Sequence, residues 1–156
     1  MSAREGSVVS IHLAGAAGGA MRAVESVRAV AGRGLEGDRY FLGTGTYSNR
    51  SEPAREITLI ELEAVEALSR EKGLVLAAGD SRRNVVTRNV ALNHLVGRRF
   101  RVGSVVLEGI RLCEPCSHLE GLTTKGVMAG LIHRGGLRAR ILEDGVLRVG
   151  DPVGEA

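Results

Sequence analysis

The stretch RRFRVGSVVLEGIRL, residues 98–112, reads as strands broken at Gly103–Ser104 and again at Gly109. Short apolar runs bounded by glycine are the mark of β-structure with tight turns. The segments around it read the same way. SVVSIHL (7–13) is an opening strand, VESVRAV (24–30) a weakly alternating second one, and NVVTR (84–88) a third. LRARILEDGVLRVGD (137–151) reads as a closing hairpin turning at Asp144–Gly145. One long helix breaks the pattern. EITLIELEAVEALSREKG (56–73) starts β-like and continues with Leu62, Val65 and Leu68 on one helical face, with Gly73 as its stop. ALNHLVG (91–97) is a short helical turn, and LEGLTTKGVMAGLIHRGG (119–136) a loop with a short helix. The expected fold is mainly β: a closed or nearly closed β-barrel, with one main helix and a few short ones. A barrel leaves few strand edges exposed.

The 156 residues are expected to form a single domain over 1–156. Hydrophobic residues make up 44% of the chain, enough for a core without cross-links. No segment approaches the roughly 20 apolar residues of a membrane helix, and the N-terminus, MSAREGSVVS, has no signal pattern. A soluble, cytoplasmic protein with no membrane contact is the expectation. Net charge is only +3, but 19 of the 21 bases are arginine, whose planar fork suits phosphate and carboxylate. A genome rich in arginine codons accounts for the bias equally well. Aromatics are 3%, which argues against a base-stacking surface and so against nucleic acid.

Four segments carry chemistry. RLCEPCSHLEGL (111–122) holds the only two cysteines, Cys113 and Cys116, around Glu114 and Pro115. A redox pair would need a βαβ context that is missing here. A structural zinc would need a fourth ligand beyond Cys113, Cys116 and His118, brought from His94 or His133. A single reactive thiolate at a strand exit and two inert, buried cysteines are the remaining readings. In GLEGDRY (34–40), Gly37 can take a positive φ and Asp38 can turn the chain, which would aim Arg39. SRRNVVTRN (81–89) places two arginines and Asn84 at the mouth of an apolar strand, a fair anion clamp. HRGGLRAR (133–140) adds Arg134 and Arg138 around a glycine pair. No P-loop, dinucleotide fingerprint, zincin helix or Ser-His-Asp spacing is legible.

Taken in order, GLEGDR, RRNVV, C-E-P-C after VGSVVLEGIRL, and the terminal GVLRVGDPV resemble the MOSC domain, the C-terminal domain of molybdenum cofactor sulfurase. The resemblance runs from about residue 34 to 153 and implies a mostly β, barrel-like domain. It also implies a molybdenum cofactor, molybdopterin with Mo. The second cysteine of the C-x-x-C position, Cys116, would be the metal ligand and catalytic centre. Arg39, Arg82 and Asn84 would hold the pterin tail and phosphate, with Asp38, Arg134 and Arg138 in support. Cys113 would be a structural neighbour or oxidative partner, and His118 a proton donor or an idle rim residue. The lysine-serine anchor that some members carry after the first strand is replaced by AGAAGGA (14–20), leaving only backbone N–H groups there. The resemblance further implies a reductase of N-hydroxylated or N-oxide small molecules supplied with electrons by a separate protein. The alternative is a sulfur or cofactor carrier, with a persulfide on Cys116 and a delivery partner.

Overall fold

The computed structural model describes residues 6–15, 20–42, 56–73, 81–113 and 134–155. Their elements follow in order: β1 Gly6–Leu13, β2 Arg22–Val24, β3 Ser26–Val30, β4 Gly34–Leu35, α1 Arg39–Leu42, β5 Ile57–Glu61 and α2 Leu62–Lys72. Then come β6 Val85–Arg88, a 3-10 turn Leu92–Leu95, β7 Arg99–Val102, β8 Val105–Leu112, β9 Leu137–Glu143, β10 Gly145–Arg148 and β11 Pro152–Glu155.

Seven strands close into a barrel in the order β11-β7-β8-β9-β5-β6-β1, with β1 pairing back to β11 through Gly6–Val153 and Ser7–Pro152. The expected mainly β barrel is therefore the observed one. Alternating residues of these strands fill its interior: Val8, Ile11, Leu59, Val85, Phe100, Leu107, Leu137 and Ile141 are all buried. Each such side chain contributes roughly 1.5–3 kcal/mol on leaving water. Closure leaves the outward face of each strand to be polar or covered. Over β5 and β6 it is covered. These two strands are parallel, so the chain must cross over between them, and α2 lies in that crossover. Its Ala64, Val65 and Leu68 pack on Ile60 and Val86. The helix ends where expected: Gly73 adopts φ 65° and its N–H reaches the Ser69 carbonyl at 3.1 Å.

Three expectations about the strands change. VESVRAV is two elements, because β2 ends at Val24 on the barrel while β3 leaves for a separate sheet ordered β10-β3-β4. The expected closing hairpin does not form. β9 pairs with β8 and β5, whereas β10 pairs with β3, so Asp144 is a crossing point between two sheets. The Asp144 carboxylate fits this arrangement: it accepts the Ala31 N–H at 2.7 Å, across the small sheet. Gly109 does not break β8 either. A Cβ there would strike the Leu95 carbonyl, and the Gly109 carbonyl accepts the Gly97 N–H at 2.8 Å. The glycine permits a close approach inside a strand rather than a turn.

Glu56 ties the two sheets together, its Oε1 accepting the N–H of Gly32 at 3.2 Å and of Ile141 at 2.9 Å. Burial pushes its carboxyl above the ordinary value of 4.5, against those two bonds and Arg140. A raised folded value means that the native state holds the proton more tightly than the unfolded chain. This stabilising term is present below pH 4.5 and is lost as pH rises through the folded value. Glu56→Gln keeps an oxygen acceptor without the charge. It is expected to melt higher than the parent at pH 7, with the difference closing towards pH 4.5. Thermal melts of both proteins across that range check it; a constant offset would remove Glu56 as the titrating group.

Among the described residues no helix is long and apolar enough to cross a membrane.

Candidate functional site

The exit of β1, the turn before α1, the start of β6, the exit of β8 and the start of β9 meet at one end of the barrel. Asn84 is the hub. It is 3% exposed, and its side-chain amide is committed on both sides. Oδ1 accepts the N–H and the hydroxyl of Thr58, each at 3.1 Å. Nδ2 donates to the His12 carbonyl at 3.2 Å and to Asp38 Oδ1 at 3.3 Å. Its carbonyl accepts the His12 N–H at 2.7 Å. With its amide spent internally, Asn84 positions neighbours rather than presenting a free amide edge.

Asp38 gets there because the chain turns at Gly37, whose φ of 89° is open to glycine but strained for other residues. The buried carboxylate also accepts the Ala14 N–H at 3.2 Å, and its carbonyl accepts the Leu42 N–H of α1 at 3.0 Å. Asp38 thus joins the loop after β1 to the start of α1. Arg39 is the first residue of that helix, and its side chain lies outside the described atoms.

The arginine pair at the mouth of β6 divides its labour. Arg82 is half-buried and holds φ at 60°, in the left-handed region that a branched or long side chain enters only when its surroundings force it. Arg83 is buried and donates to three carbonyls from three chain segments. Nε reaches Gly135 at 2.7 Å, Nη2 reaches Cys113 at 2.9 Å and Nη1 reaches Ser81 at 3.5 Å. The Cys113 N–H also donates to Gly136 at 2.7 Å. Arg83 therefore holds together the two described ends, Cys113 and Arg134, that flank residues 114–133 of the sequence. Gly136 belongs to that lock: its φ is 114° and a Cβ there would meet the Leu59 carbonyl.

Of the expected site residues, Asp38 and Asn84 touch, and Arg82 stands two residues upstream. Arg138 is in register with Thr58 on β5, next to the Asn84 bonds, and with Arg111 on β8. Arg134 forks onto the Glu71 carboxylate of α2 at 2.6 and 3.4 Å. Cys113 is 1% exposed. Cys116 and His118 lie outside the described residues. Among the described residues no group of three His, Cys, Asp or Glu side chains is placed to hold a metal.

His12 escaped the sequence reading, and Arg83, one of the two arginines of the expected clamp, was not singled out. His12 is 7% exposed, with Nε2 2.8 Å from Ser10 Oγ, and its backbone frames Asn84. Arg83 was masked by its neighbour. Counting back from Val85, which faces the barrel interior, the period of two assigns Arg83 to the inner side and Asn84 to the outer. Val86 is also buried, under α2, so NVVTR shows no apolar–polar alternation from which to read that parity.

The donor chemistry at this end favours an anion. All three acceptors of Arg83 are neutral carbonyls, so no carboxylate in contact offsets its buried charge. A phosphate-bearing tail fits such a place, with Arg82 on the same turn.

A model of the MOSC domain matches residues 46–154. Among solved structures the chain is similar to YuaD from Bacillus subtilis, at 16% identity and a TM-score of 0.78, covering 98% of this chain and 97% of that one. YiiM from Geobacillus stearothermophilus gives 15% identity and a TM-score of 0.72 over 97% and 75% of the two chains. YiiM from Escherichia coli gives 17% and 0.69 over 96% and 69%. A comparison with curated proteins returns no match.

Proposed function

We propose, from the premise that the chain belongs to the MOSC family, that it binds the molybdenum cofactor and uses it to reduce N-hydroxylated or N-oxide small molecules. The observation that carries this reading is the joining of the ends flanking the C-x-x-C segment by a buried, carboxylate-free Arg83, beside the Asp38–Asn84 hub. Cys116 is three residues beyond Cys113, so covalent geometry alone keeps the two Cα atoms within about 11 Å. Its thiolate is the soft donor that suits a metal already held by pterin sulfur. Arg82 and Arg39 would take the phosphate and tail, and Asp38 and Asn84 would fix the backbone around them. Arg134, held by Glu71, keeps its supporting place. When bound, the cofactor supplies two-electron redox chemistry at the metal. The chain's own part is to orient the tail, exclude water and hold charge. Reduction of an N-hydroxyl group takes two electrons and two protons and releases water. The electrons would come from a separate donor protein. A carrier role for the same thiolate, with a persulfide on Cys116, is the second reading; it uses the same site without turnover.

The experiment is the molybdenum and pterin content of protein from a host with an active cofactor pathway, for the parent, Cys116→Ser and Cys113→Ser. Near-stoichiometric molybdenum in the parent, lost in Cys116→Ser and largely kept in Cys113→Ser, is expected. Equal loss in both variants would mean a paired role. Folded parent protein without molybdenum or pterin, but with persulfide sulfur on Cys116, would transfer the reading to the carrier.

A further inference from the structure

The charge of this chain is not spread evenly. Strands β7, β8 and β9 carry Arg99, Arg101, Arg111, Arg138 and Arg140 against Glu108 and Glu143. Five arginines against two glutamates leave +3, which equals the formal net charge of the whole chain, 21 bases against 18 acids. The other 16 bases and 16 acids cancel.

The seven charged residues avoid the core, because the inward positions between them are Phe100, Val102, Val105, Leu107, Leu137, Ala139 and Ile141. Register lines them up in rows. Arg101, Val106 and Glu143 form one row across the three strands, and Arg99, Glu108 and Arg140 the next. Arg111 stands opposite Arg138, a like-charge cross-strand pair that costs stability. Arg140 is paired with Glu108 at 2.7 Å, but Arg99, Arg101 and Arg138 have no ion pair among the described residues. Ile110 and Leu142, both half-buried, alternate with these charges, and a cleft of about 540 Å³ opens between Arg99, Arg101, Val106, Leu142 and Glu143. The strip runs from that cleft to Arg138, beside the Thr58–Asn84 bonds of the candidate site.

We propose that the outer face of β7, β8 and β9 is a docking surface for an acidic protein. Uncompensated arginines steer an oppositely charged partner and set its orientation. The apolar side chains between them suit a protein surface, and the absence of an exposed aromatic on these strands disfavours nucleic acid, because Phe100 is fully buried. That the partner is an electron donor rests on the reading given under Proposed function; the acidic character of the partner rests on the charge distribution alone.

The test is direct binding of a plant-type [2Fe–2S] ferredoxin, an acidic electron carrier, to the purified protein at low and physiological salt. Arg99→Glu/Arg101→Glu is compared with Arg70→Glu/Arg148→Glu, an equal charge change off the face. Expected are binding that weakens with salt, a loss of about tenfold or more for the on-face pair and less than about twofold for the off-face pair. Equal losses, or no ferredoxin binding at low salt, would overturn the proposal. So would tighter binding of a single-stranded RNA that the on-face pair abolishes. Melting curves confirm that both double variants are folded. Docking does not require bound molybdenum, so ferredoxin binding by cofactor-free protein supports the surface even if the reductase reading fails.

Discussion

Arg83→Met is expected to lower stability by about 3–5 kcal/mol, although Met fills much of the same space. Arg83 donates to Gly135, Cys113 and Ser81, and a hydrogen bond from a charged donor contributes about 1.5–3 kcal/mol. Removing the donor leaves three carbonyls facing an apolar chain, and the buried acceptors bear the desolvation cost. One term works the other way: Met also removes a buried cation that no carboxylate offsets, so the full sum of three bonds is not reached. Arg83→Lys keeps the charge on a single ammonium that cannot span three segments, and is expected to recover less than half. Urea denaturation checks both, the midpoint moving at constant slope. A loss within about 0.5 kcal/mol for Met would show that Arg83 is a bystander.

Asn84→Asp is the second large effect, and it depends on pH. The substitution keeps the shape and the acceptor for Thr58 but replaces the Nδ2 donor with an oxygen. Two carboxylates then face each other where Nδ2 now lies 3.3 Å from Asp38 Oδ1, and the His12 carbonyl loses its donor. Like charges so close cannot both ionise in a buried place, so one carboxyl holds its proton to higher pH than in the unfolded chain. The native state then binds the extra proton, and stability rises as pH falls. A deficit of about 3 kcal/mol or more against the parent at pH 7.5 is expected, shrinking towards pH 5. Asn84→Ala is expected to show a deficit of similar size that does not change with pH. Melting temperatures of the three proteins over that range separate the cases. If the Asp variant tracked the Ala variant, the Asp38 contact would be carrying no weight.

These two residues also show where the sequence was legible and where it was not. The barrel could be read in advance, because short apolar strands separated by glycine are a local, periodic signal. The helix could be read too, since Leu62, Val65, Leu68 and the Gly73 stop all lie within one segment. Asp38 and Asn84 stood out as polar residues at turn and strand starts, and the fold places them in contact from 46 residues apart. Their roles were not legible, because whether an amide faces a ligand or its own backbone depends on partners from three distant segments. Arg134 shows the same limit, since its partner Glu71 lies 63 residues away on α2.

The closing hairpin failed for a related reason. Asp144–Gly145 is a strong local turn signal, but the carboxylate found a partner at Ala31, and β10 paired with β3 instead of β9. What the sequence by itself determined is the element types, the barrel class and the family resemblance. Each of these is set by spacing along the chain or by residue identity. Only the tertiary structure decided which strands pair, that Arg83 holds the ends flanking the C-x-x-C segment, and that five arginines share the outer face of β7, β8 and β9. Those are matters of closure. Bringing distant segments together selects which polar groups lose water, and each such group must then find its partner among whatever the fold places beside it.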